Sequence, residues 1–198
     1  MDIVFIRHGS TELNENHVYG GVSDVKMSQK GISEIKNIEK YIKNIEFDSV
    51  YTSPLKRAIE STRLITESYR IDDRLSELNF GIFEGLNYDN ICDKYPEESK
   101  AWIKDVLNYR IPEGESLKDL FNRTKDFIDS ISNGMGNGKI LVVTHGGVIA
   151  CVLSLVFKQQ DYFYKFKVMH GMASVVSIEQ GYMYIKGINC RDNIVDVL

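Results

Sequence analysis

Short apolar strands alternate with amphipathic helices along this chain, and that alternation restricts its fold more than any other feature of the sequence. Ile3 to Ile6 predict a buried strand, and isoleucines then recur at helical spacing from Ile32 to Ile45. Residues 47–53 and 140–143 predict two more strands, each followed by a helical pattern. Strands that alternate with helices are typical of an α/β protein. We therefore expect a three-layer α/β/α sandwich with a mostly parallel central sheet.

Local residue patterns mark where some of these elements begin. Ser53-Pro54 predicts a helix start, because a capping hydroxyl is followed by proline at the first helical position. Ser116 and Asp119 resemble a capping box and predict the start of a long helix. Residues 173–178 and 182–188 predict a hairpin that closes the chain.

The 198 residues suit one domain, and a single stretch differs in character from the rest. From about residue 78 to residue 112, aromatic, acidic and turn-forming residues are frequent and strand patterns are scarce. This composition predicts short helices, which we interpret as a small helical cap on a domain that spans residues 1–198.

Two segments imitate functional motifs. The glycine-rich segment 133–139 lacks the spacing of a phosphate-binding loop, and it precedes a strand instead of joining a strand to a helix, so it predicts a surface turn. Residues 140–157 are apolar and long enough to resemble a membrane span. His145 and the glycines after it interrupt that run, which favours a strand followed by a buried helix.

Charge and cysteine content narrow the functional classes. The net charge of −4 and a pI near 5.6 argue against partners such as nucleic acids or membrane surfaces, which attract basic proteins. Cys92, Cys151 and Cys190 are odd in number and far apart, so neither a disulfide framework nor a zinc ribbon is indicated. No basic leader precedes an apolar stretch. We expect a cytoplasmic protein, and a homodimer is compatible with the sequence.

Three predicted strands end in residues that suit an anion. Arg7-His8-Gly9 follows the first strand, Arg57 lies in the opening turn of the helix after the second, and His145 and Gly146 follow strand 140–143. Taken singly, each could be a surface residue or a satisfied core residue. In α/β sheets, however, ligands bind outside the carboxyl ends of the strands. Two arginines and two histidines meeting there would repel one another without an anion, and phosphate suits the arginine fork.

The same residues suggest a reaction. No acidic cluster with metal-ligand spacing accompanies the histidines, so we expect neither a metal nor another cofactor. A histidine fixed at a strand end can itself attack phosphorus and form a phosphohistidine. Glu77 is the best candidate to protonate the leaving alcohol, and the same carboxylate could then activate water.

Four ordered segments, "RHG", "SPLKRA", "ELNFGIFEG" and "THGG", resemble the histidine phosphatase superfamily, also called the phosphoglycerate mutase-like family. The resemblance spans nearly the whole chain and implies a phosphoglycerate mutase-like fold and a small phosphomonoester substrate. It implies that His8 is the phosphorylated nucleophile and Glu77 the proton donor. The phosphate ligands that it implies are Arg7, Asn14, Arg57, His145 and Gly146. Glu84 is left open between a second functional acid and a structural acid held by backbone amides.

Segments 101–117 and 166–178 are similar to those of alpha-ribazole phosphatases, which remove the 5'-phosphate of alpha-ribazole phosphate in cobalamin assembly. Trp102 and Tyr109 would then lie in a cap that receives a flat base, or Trp102 packs a small core of its own. The alternatives are a broad-specificity phosphatase, a phosphoglycerate mutase and a non-catalytic phosphate-binding module. The chain has Ser10 where many relatives have Glu, a difference that we expect at the pocket entrance.

Overall fold

The computed structural model describes residues 1–134 and 138–198 and contains one six-stranded sheet. Its strands are β1 (Asp2–Arg7), β2 (Ser49–Thr52), β3 (Arg70–Ile71), β4 (Lys139–Thr144), β5 (Ala173–Glu179) and β6 (Tyr182–Cys190). They lie in the order β3-β2-β4-β1-β5-β6. The first four in that order are parallel, while β5 runs antiparallel to both β1 and β6. The predicted mostly parallel sheet and its closing hairpin are confirmed.

Helices cover both faces of the sheet. They are α1 (Glu12–Glu15), α2 (Gln29–Ile42), α3 (Lys56–Arg63), α4 (Tyr88–Lys94), α5 (Pro96–Lys104), α6 (Leu117–Gly134), α7 (Gly146–Val156) and α8 (Ile194–Val197). Short 3-10 helices span Asp73–Leu75, Gly81–Phe83 and Gln160–Lys165. The described residues include no helix long and apolar enough to cross a membrane, and the apolar run 140–157 divides into β4 and α7.

The two cores follow from the alternation of side chains along the strands. In β1, Ile3 and Phe5 pack with residues of α6 and α7, whereas Val4 and Ile6 pack with the isoleucines of α2. All four side chains are fully buried, and each such burial is worth about 1.5–3 kcal/mol. The predicted three-layer sandwich is therefore present.

One predicted helix start is wrong and another is confirmed. Helix α3 begins at Lys56, its cap residue is Leu55, and no side chain caps it. The Ser53 hydroxyl is instead engaged with a histidine from a neighbouring strand, which outweighs its local capping preference. Ser116 and Asp119 do form the predicted reciprocal pair, because each backbone amide donates to the other side chain.

The segment predicted as a cap contains α4, α5 and a 3-10 helix. Its buried side chains form a third, small hydrophobic cluster of Phe83, Ile91, Trp102 and Ile111. The limits of the cap at about 78–112, and the single domain over 1–198, stay predictions. The predicted turn at 133–139 includes residues 135–137, which lie outside the described part of the chain.

Candidate active site

The register of the parallel strands brings three strand ends to one level. Arg7 in β1 pairs with Thr144 in β4, and the His8 amide donates to the Thr144 carbonyl at 2.9 Å. The Ser53 amide, just after β2, is likewise held by β4 at 3.1 Å. The ring centroids of His8 and His145 lie 4.9 Å apart as a result. The two predicted histidines therefore meet at the carboxyl edge of the sheet.

The hydrogen bonds of His8 define which nitrogen can act as a nucleophile. Its Nδ1 lies 2.7 Å from the Gly9 carbonyl oxygen, and because a carbonyl only accepts, Nδ1 carries the proton. The lone pair is then on Nε2, which accepts a hydrogen bond from Arg57 Nε at 3.2 Å. Burial lowers the pKa of His8 well below its ordinary value, and the charges of Arg57 and Arg7 lower it further. His8 is thus a neutral imidazole whose Nε2 is unprotonated.

Arg57 connects the nucleophile to the loop at residues 20–23. Besides its bond to His8, its guanidinium donates to the carbonyls of Ser23 at 2.8 Å, Gly20 at 3.0 Å and Gly21 at 2.6 Å. Burial lowers the pKa of Arg57, whereas the charge of Glu77 raises it. The predicted phosphate ligand therefore has most of its donors engaged with the protein's own backbone.

Glu84 holds the same loop from the other side. Its carboxylate accepts from the amides of Val22 at 3.0 Å, Ser23 at 3.2 Å and Phe80 at 3.0 Å. These contacts correspond to the second of the two roles considered for Glu84, a structural acid held by backbone amides.

Ser53 sets the orientation of His145. Its Oγ lies 2.7 Å from His145 Nε2 and accepts from the Leu55 amide at 3.3 Å; when the hydroxyl donates its proton to Nε2, the neutral imidazole must hold its own proton on the other nitrogen. Nδ1 of His145 then carries the ring proton. That atom is buried and has no hydrogen-bond partner among the described residues. Burial lowers the pKa of His145 well below its ordinary value, with Arg57 the next cause.

His170 is a site residue that the sequence analysis missed. Its ring centroid lies 5.4 Å from that of His8, and its buried Nε2 has no partner among the described residues. Burial lowers its pKa to about 3, helped by the charges of Arg7, Lys30 and Arg57. One signal was available, since His170 is followed by glycine, as His8 and His145 are.

Arg7 completes a set of buried polar atoms without hydrogen-bond partners among the described residues. Its Nη1 donates to the Val168 carbonyl at 2.6 Å, while its buried Nε has no acceptor in the described structure. Three buried atoms without a hydrogen-bond partner among the described residues, Arg7 Nε, His145 Nδ1 and His170 Nε2, therefore belong to residues around His8. Leaving such groups unpaired costs about 1–3 kcal/mol each. An anion with several acceptor oxygens, such as phosphate, would pair them.

Glu77 lies at the amino end of α7. Its Oε2 accepts from the Gly147 amide at 3.0 Å and its Oε1 accepts from the Leu78 amide at 2.9 Å. A Cβ on Gly147 would lie only 2.2 Å from Glu77 Oε1, and one on Gly146 would lie 3.1 Å from Arg7 Cζ. The glycine pair thus makes room for a carboxylate and a guanidinium at one helix end.

Two cavities meet at Glu77. One, of about 400 Å³, is mainly aromatic and aliphatic, and Glu77 is the charged residue of its lining. Its other lining residues are Tyr19, Leu78, Phe80, Tyr88, Trp102, Ile103, Val106, Leu117, Gly147, Phe163 and Tyr164. The other, of about 330 Å³, includes Arg7, Gly146 and Lys167. Glu77, Gly147, Phe163 and Tyr164 border both, and Glu77 is the charged residue among them.

The remaining predicted residues lie as follows. Asn14 belongs to the capping box of α1, where its Oδ1 accepts from the amide and hydroxyl of Thr11 at 3.1 and 3.0 Å. Its contact with phosphate stays a prediction. Trp102 lines the larger cavity and also packs the small cluster of the cap, whereas Tyr109 only flanks that cluster. Ser10 does not lie at the pocket entrance as expected, since it is 3% exposed and donates to Glu34.

Comparison with known families gives one match over nearly the whole chain. Residues 3–191 match the family described as the histidine phosphatase superfamily (branch 1). The fold and the ordered segments quoted above agree with this match.

Individual relatives share about a quarter of their residues with this chain. An adenosylcobalamin/alpha-ribazole phosphatase of Salmonella typhimurium is 27% identical over 196 residues, covering 96% of this chain and 97% of that protein. Phosphoserine phosphatase 1 of Hydrogenobacter thermophilus is 28% identical over 147 residues, covering 72% of this chain and 70% of that protein. The crystal structure of the alpha-ribazole phosphatase from Shigella flexneri superposes with a TM-score of 0.89 at 26% identity, covering 96% of this chain and 97% of that one.

Proposed function

The chain belongs to the histidine phosphatase superfamily and hydrolyses phosphate monoesters, and from that premise we propose that the reaction passes through a phosphohistidine on His8. The lone pair of His8 Nε2 attacks phosphorus and the bond from phosphorus to the leaving oxygen breaks. Glu77 gives its proton to that oxygen, and the alcohol departs. Glu77 then takes a proton from water, whose oxygen attacks phosphorus as the bond from phosphorus to His8 breaks.

The phosphoryl oxygens are held by donors that have no other acceptor. Arg7 Nε, His145 Nδ1 and His170 Nε2 are the buried atoms available for this role. Arg57 Nε donates a hydrogen bond to His8 Nε2 in this structure. When His8 Nε2 attacks phosphorus, a phosphoryl oxygen must accept that hydrogen bond instead. Asn14 and Gly146 are the further ligands that the family resemblance implies.

The observation that carries this proposal is the place of Glu77 between the two cavities. On one side lies the cavity bordered by Arg7, and on the other the aromatic cavity. A substrate whose phosphate lies against His8 and Arg7 and whose alcohol lies in the aromatic cavity brings the leaving oxygen to this carboxyl.

For the leaving group we propose alpha-ribazole, as its 5'-phosphate. The aromatic lining suits a flat base. Glu77 is the charged residue of that lining, so a carboxylate on the substrate would have no cation to pair with there. Phosphoserine and phosphoglycerate both carry such a carboxylate. The alpha-ribazole phosphatase of Salmonella also matches over more of the chain than the phosphoserine phosphatase does. We propose that the reaction takes place in the cytoplasm, where the unpaired Cys92, Cys151 and Cys190 would stay reduced. A homodimer stays a prediction.

The chemistry is tested with 4-nitrophenyl phosphate, with wild-type protein and His8→Ala compared in the presence and absence of a chelator. We expect phosphate release that the chelator leaves unchanged and that His8→Ala abolishes. Rapid quenching with labelled substrate should trap a phosphoenzyme that is labile in acid and stable in base. Turnover that requires a divalent metal, or that persists in His8→Ala, would overturn the mechanism. Absence of wild-type turnover would favour a non-catalytic phosphate-binding module.

The substrate is tested by kcat/KM on a panel. Alpha-ribazole 5'-phosphate should exceed phosphoserine, 3-phosphoglycerate and generic phosphomonoesters by about 10-fold or more, on the order of the 1–3 kcal/mol that an apolar pocket discriminates. Similar values across the panel indicate a broad-specificity phosphatase. Conversion of 3-phosphoglycerate to its isomer, dependent on a bisphosphate primer, indicates a mutase.

A further inference from the structure

The backbone that leads into Glu77 is held by side chains from two other elements. Arg123 of α6 donates to the carbonyls of Arg74 at 2.8 Å, of Ser76, and of Glu77 at 2.9 Å. The hydroxyl of Thr144, at the end of β4, donates to the carbonyl of Leu75 at 2.7 Å. Every carbonyl from residue 74 to residue 77 is thereby fixed by a side chain.

Arg123 is in turn fixed by Glu115. Its Nε and Nη2 donate to the two carboxylate oxygens of Glu115, each at 3.0 Å. With the three carbonyl bonds, each N–H of the guanidinium has an acceptor, and the side chain is 18% exposed. The network satisfies the guanidinium fully, so the planar group has a single orientation.

The same pair also holds the chain beyond Glu77. Glu115 Oε2 accepts from the Asn79 amide at 3.0 Å, and the Asn79 carbonyl accepts from the Glu115 amide at 2.9 Å. Residues 74–77 and residue 79 are therefore attached to one Arg123–Glu115 unit. The 3-10 helix ends at Leu75, so Glu77 itself depends on these contacts for its backbone position.

We infer that Arg123 is a positioning residue for the general acid, which with Glu115 holds the Glu77 carboxyl where the leaving oxygen arises. This inference rests on the proposed function. Arg123 contacts the backbone of Glu77 and not its carboxylate, so it acts through the geometry of the acid. A displacement of about 1 Å in a reacting group can cost about 100-fold in rate.

Two substrates whose leaving groups differ in basicity can distinguish a positioning role of Arg123 from a general effect on the stability of the protein. Departure of 4-nitrophenolate needs little protonation, whereas the alkoxide of benzyl phosphate needs an acid. Both carry one aromatic ring, so both fit the same aromatic cavity. A misplaced Glu77 should therefore slow benzyl phosphate selectively. kcat/KM is the suitable quantity, because it covers the steps up to release of the alcohol and leaves out hydrolysis of the phosphoenzyme.

The experiment compares Arg123→Lys and Glu115→Gln with the wild type on both substrates. A lysine ammonium cannot replace the five hydrogen bonds that the planar guanidinium donates. In Arg123→Lys, kcat/KM for benzyl phosphate should therefore fall about 10–100-fold, while kcat/KM for 4-nitrophenyl phosphate should change by less than about 3-fold. Glu115→Gln should give a smaller selective fall and serves as the test if Arg123→Lys does not fold. Arg63→Lys, in α3, is the control, since the Nε of that side chain donates to the Tyr69 hydroxyl at 3.1 Å.

Equal falls in kcat/KM for the two substrates, or no fall for either, would overturn the positioning role. Wild-type turnover that disappears in His8→Ala supports the proposed function separately. If that turnover is seen and the variants do not discriminate, only the role of Arg123 fails. If the wild type turns over neither substrate, the proposed function fails, and this inference with it.

Discussion

Ser53 Oγ and His145 Nε2 lie 2.7 Å apart and join the end of β2 to the end of β4. The Leu55 amide donates to the same oxygen, and the hydroxyl keeps a proton that it can donate to the ring. We predict that this serine selects the tautomer in which His145 Nδ1 carries a proton and can donate to an anion. The two strand ends are thereby coupled chemically as well as by the sheet.

Replacement of Ser53 by alanine should remove that selection. We expect kcat/KM to fall about 10-fold and stability to fall by about 1–3 kcal/mol, because a buried ring nitrogen loses its partner. Nitrogen NMR of labelled histidine should show His145 shifting from one tautomer to a mixture. Thr62→Val is the control, because it deletes a neighbouring buried hydroxyl that bonds Thr52 at 2.9 Å and does not contact His145. An unchanged tautomer in Ser53→Ala would disprove the assignment.

Gly147→Ala should separate catalysis from helix stability. The added Cβ would lie 2.2 Å from Glu77 Oε1, so the carboxylate must move. Alanine is otherwise favoured over glycine within a helix by about 1 kcal/mol. We expect kcat/KM for benzyl phosphate to fall about 100-fold, with little change in Tm. Ser154→Ala, also in α7, is the control, since its hydroxyl donates to the Ala150 carbonyl of the same helix. Full activity in Gly147→Ala would contradict the proposed role of Glu77.

The fold and the meeting of the strand ends could be predicted because they depend on local and repetitive signals. Apolar runs define β1 and β4, and parallel neighbours bring their carboxyl ends to one edge, so Arg7, His8 and His145 could be grouped from the amino-acid sequence alone. His170 could not be grouped with them on that basis. It precedes β5, and only the antiparallel pairing of β5 with β1 brings a strand's beginning to the same edge.

Other residues escaped prediction because a tertiary contact overrides a local preference. Ser53 has the residue type of a helix cap, yet its hydroxyl is used by His145 from another strand. Arg123 lies within a helix rich in charged residues, where an arginine ordinarily faces solvent. Its five acceptors come from residues distant in sequence or at the helix start, and no spacing rule connects them.

His170 should make the protein less stable in mild acid. Burial and nearby cations hold its pKa at about 3 in the folded state, against an ordinary value of 6.5. As pH falls through 6.5, the unfolded chain therefore binds a proton that the folded protein does not. Between pH 7 and pH 5 this difference removes up to about 2 kcal/mol of stability. Urea unfolding at the two pH values should show a smaller decline in His170→Asn. His17→Asn, at an exposed histidine, is the control and should decline as the wild type does.

Substitution of Trp102 should show whether this residue binds the base of the substrate or only packs the cap. It lines the aromatic cavity and also packs against Phe83, with ring centroids 5.4 Å apart. We expect Trp102→Leu to raise KM for alpha-ribazole 5'-phosphate about 10-fold, since an aromatic contact adds about 0.5–1.5 kcal/mol beyond the area it buries. Inhibition by inorganic phosphate should not change, because the proposed phosphate site beside His8 and Arg7 lies outside the aromatic cavity. Phe83→Leu perturbs the same cluster without lining the cavity, so its KM should stay near that of the wild type. Equal increases in both variants would show that Trp102 serves only to pack the cap.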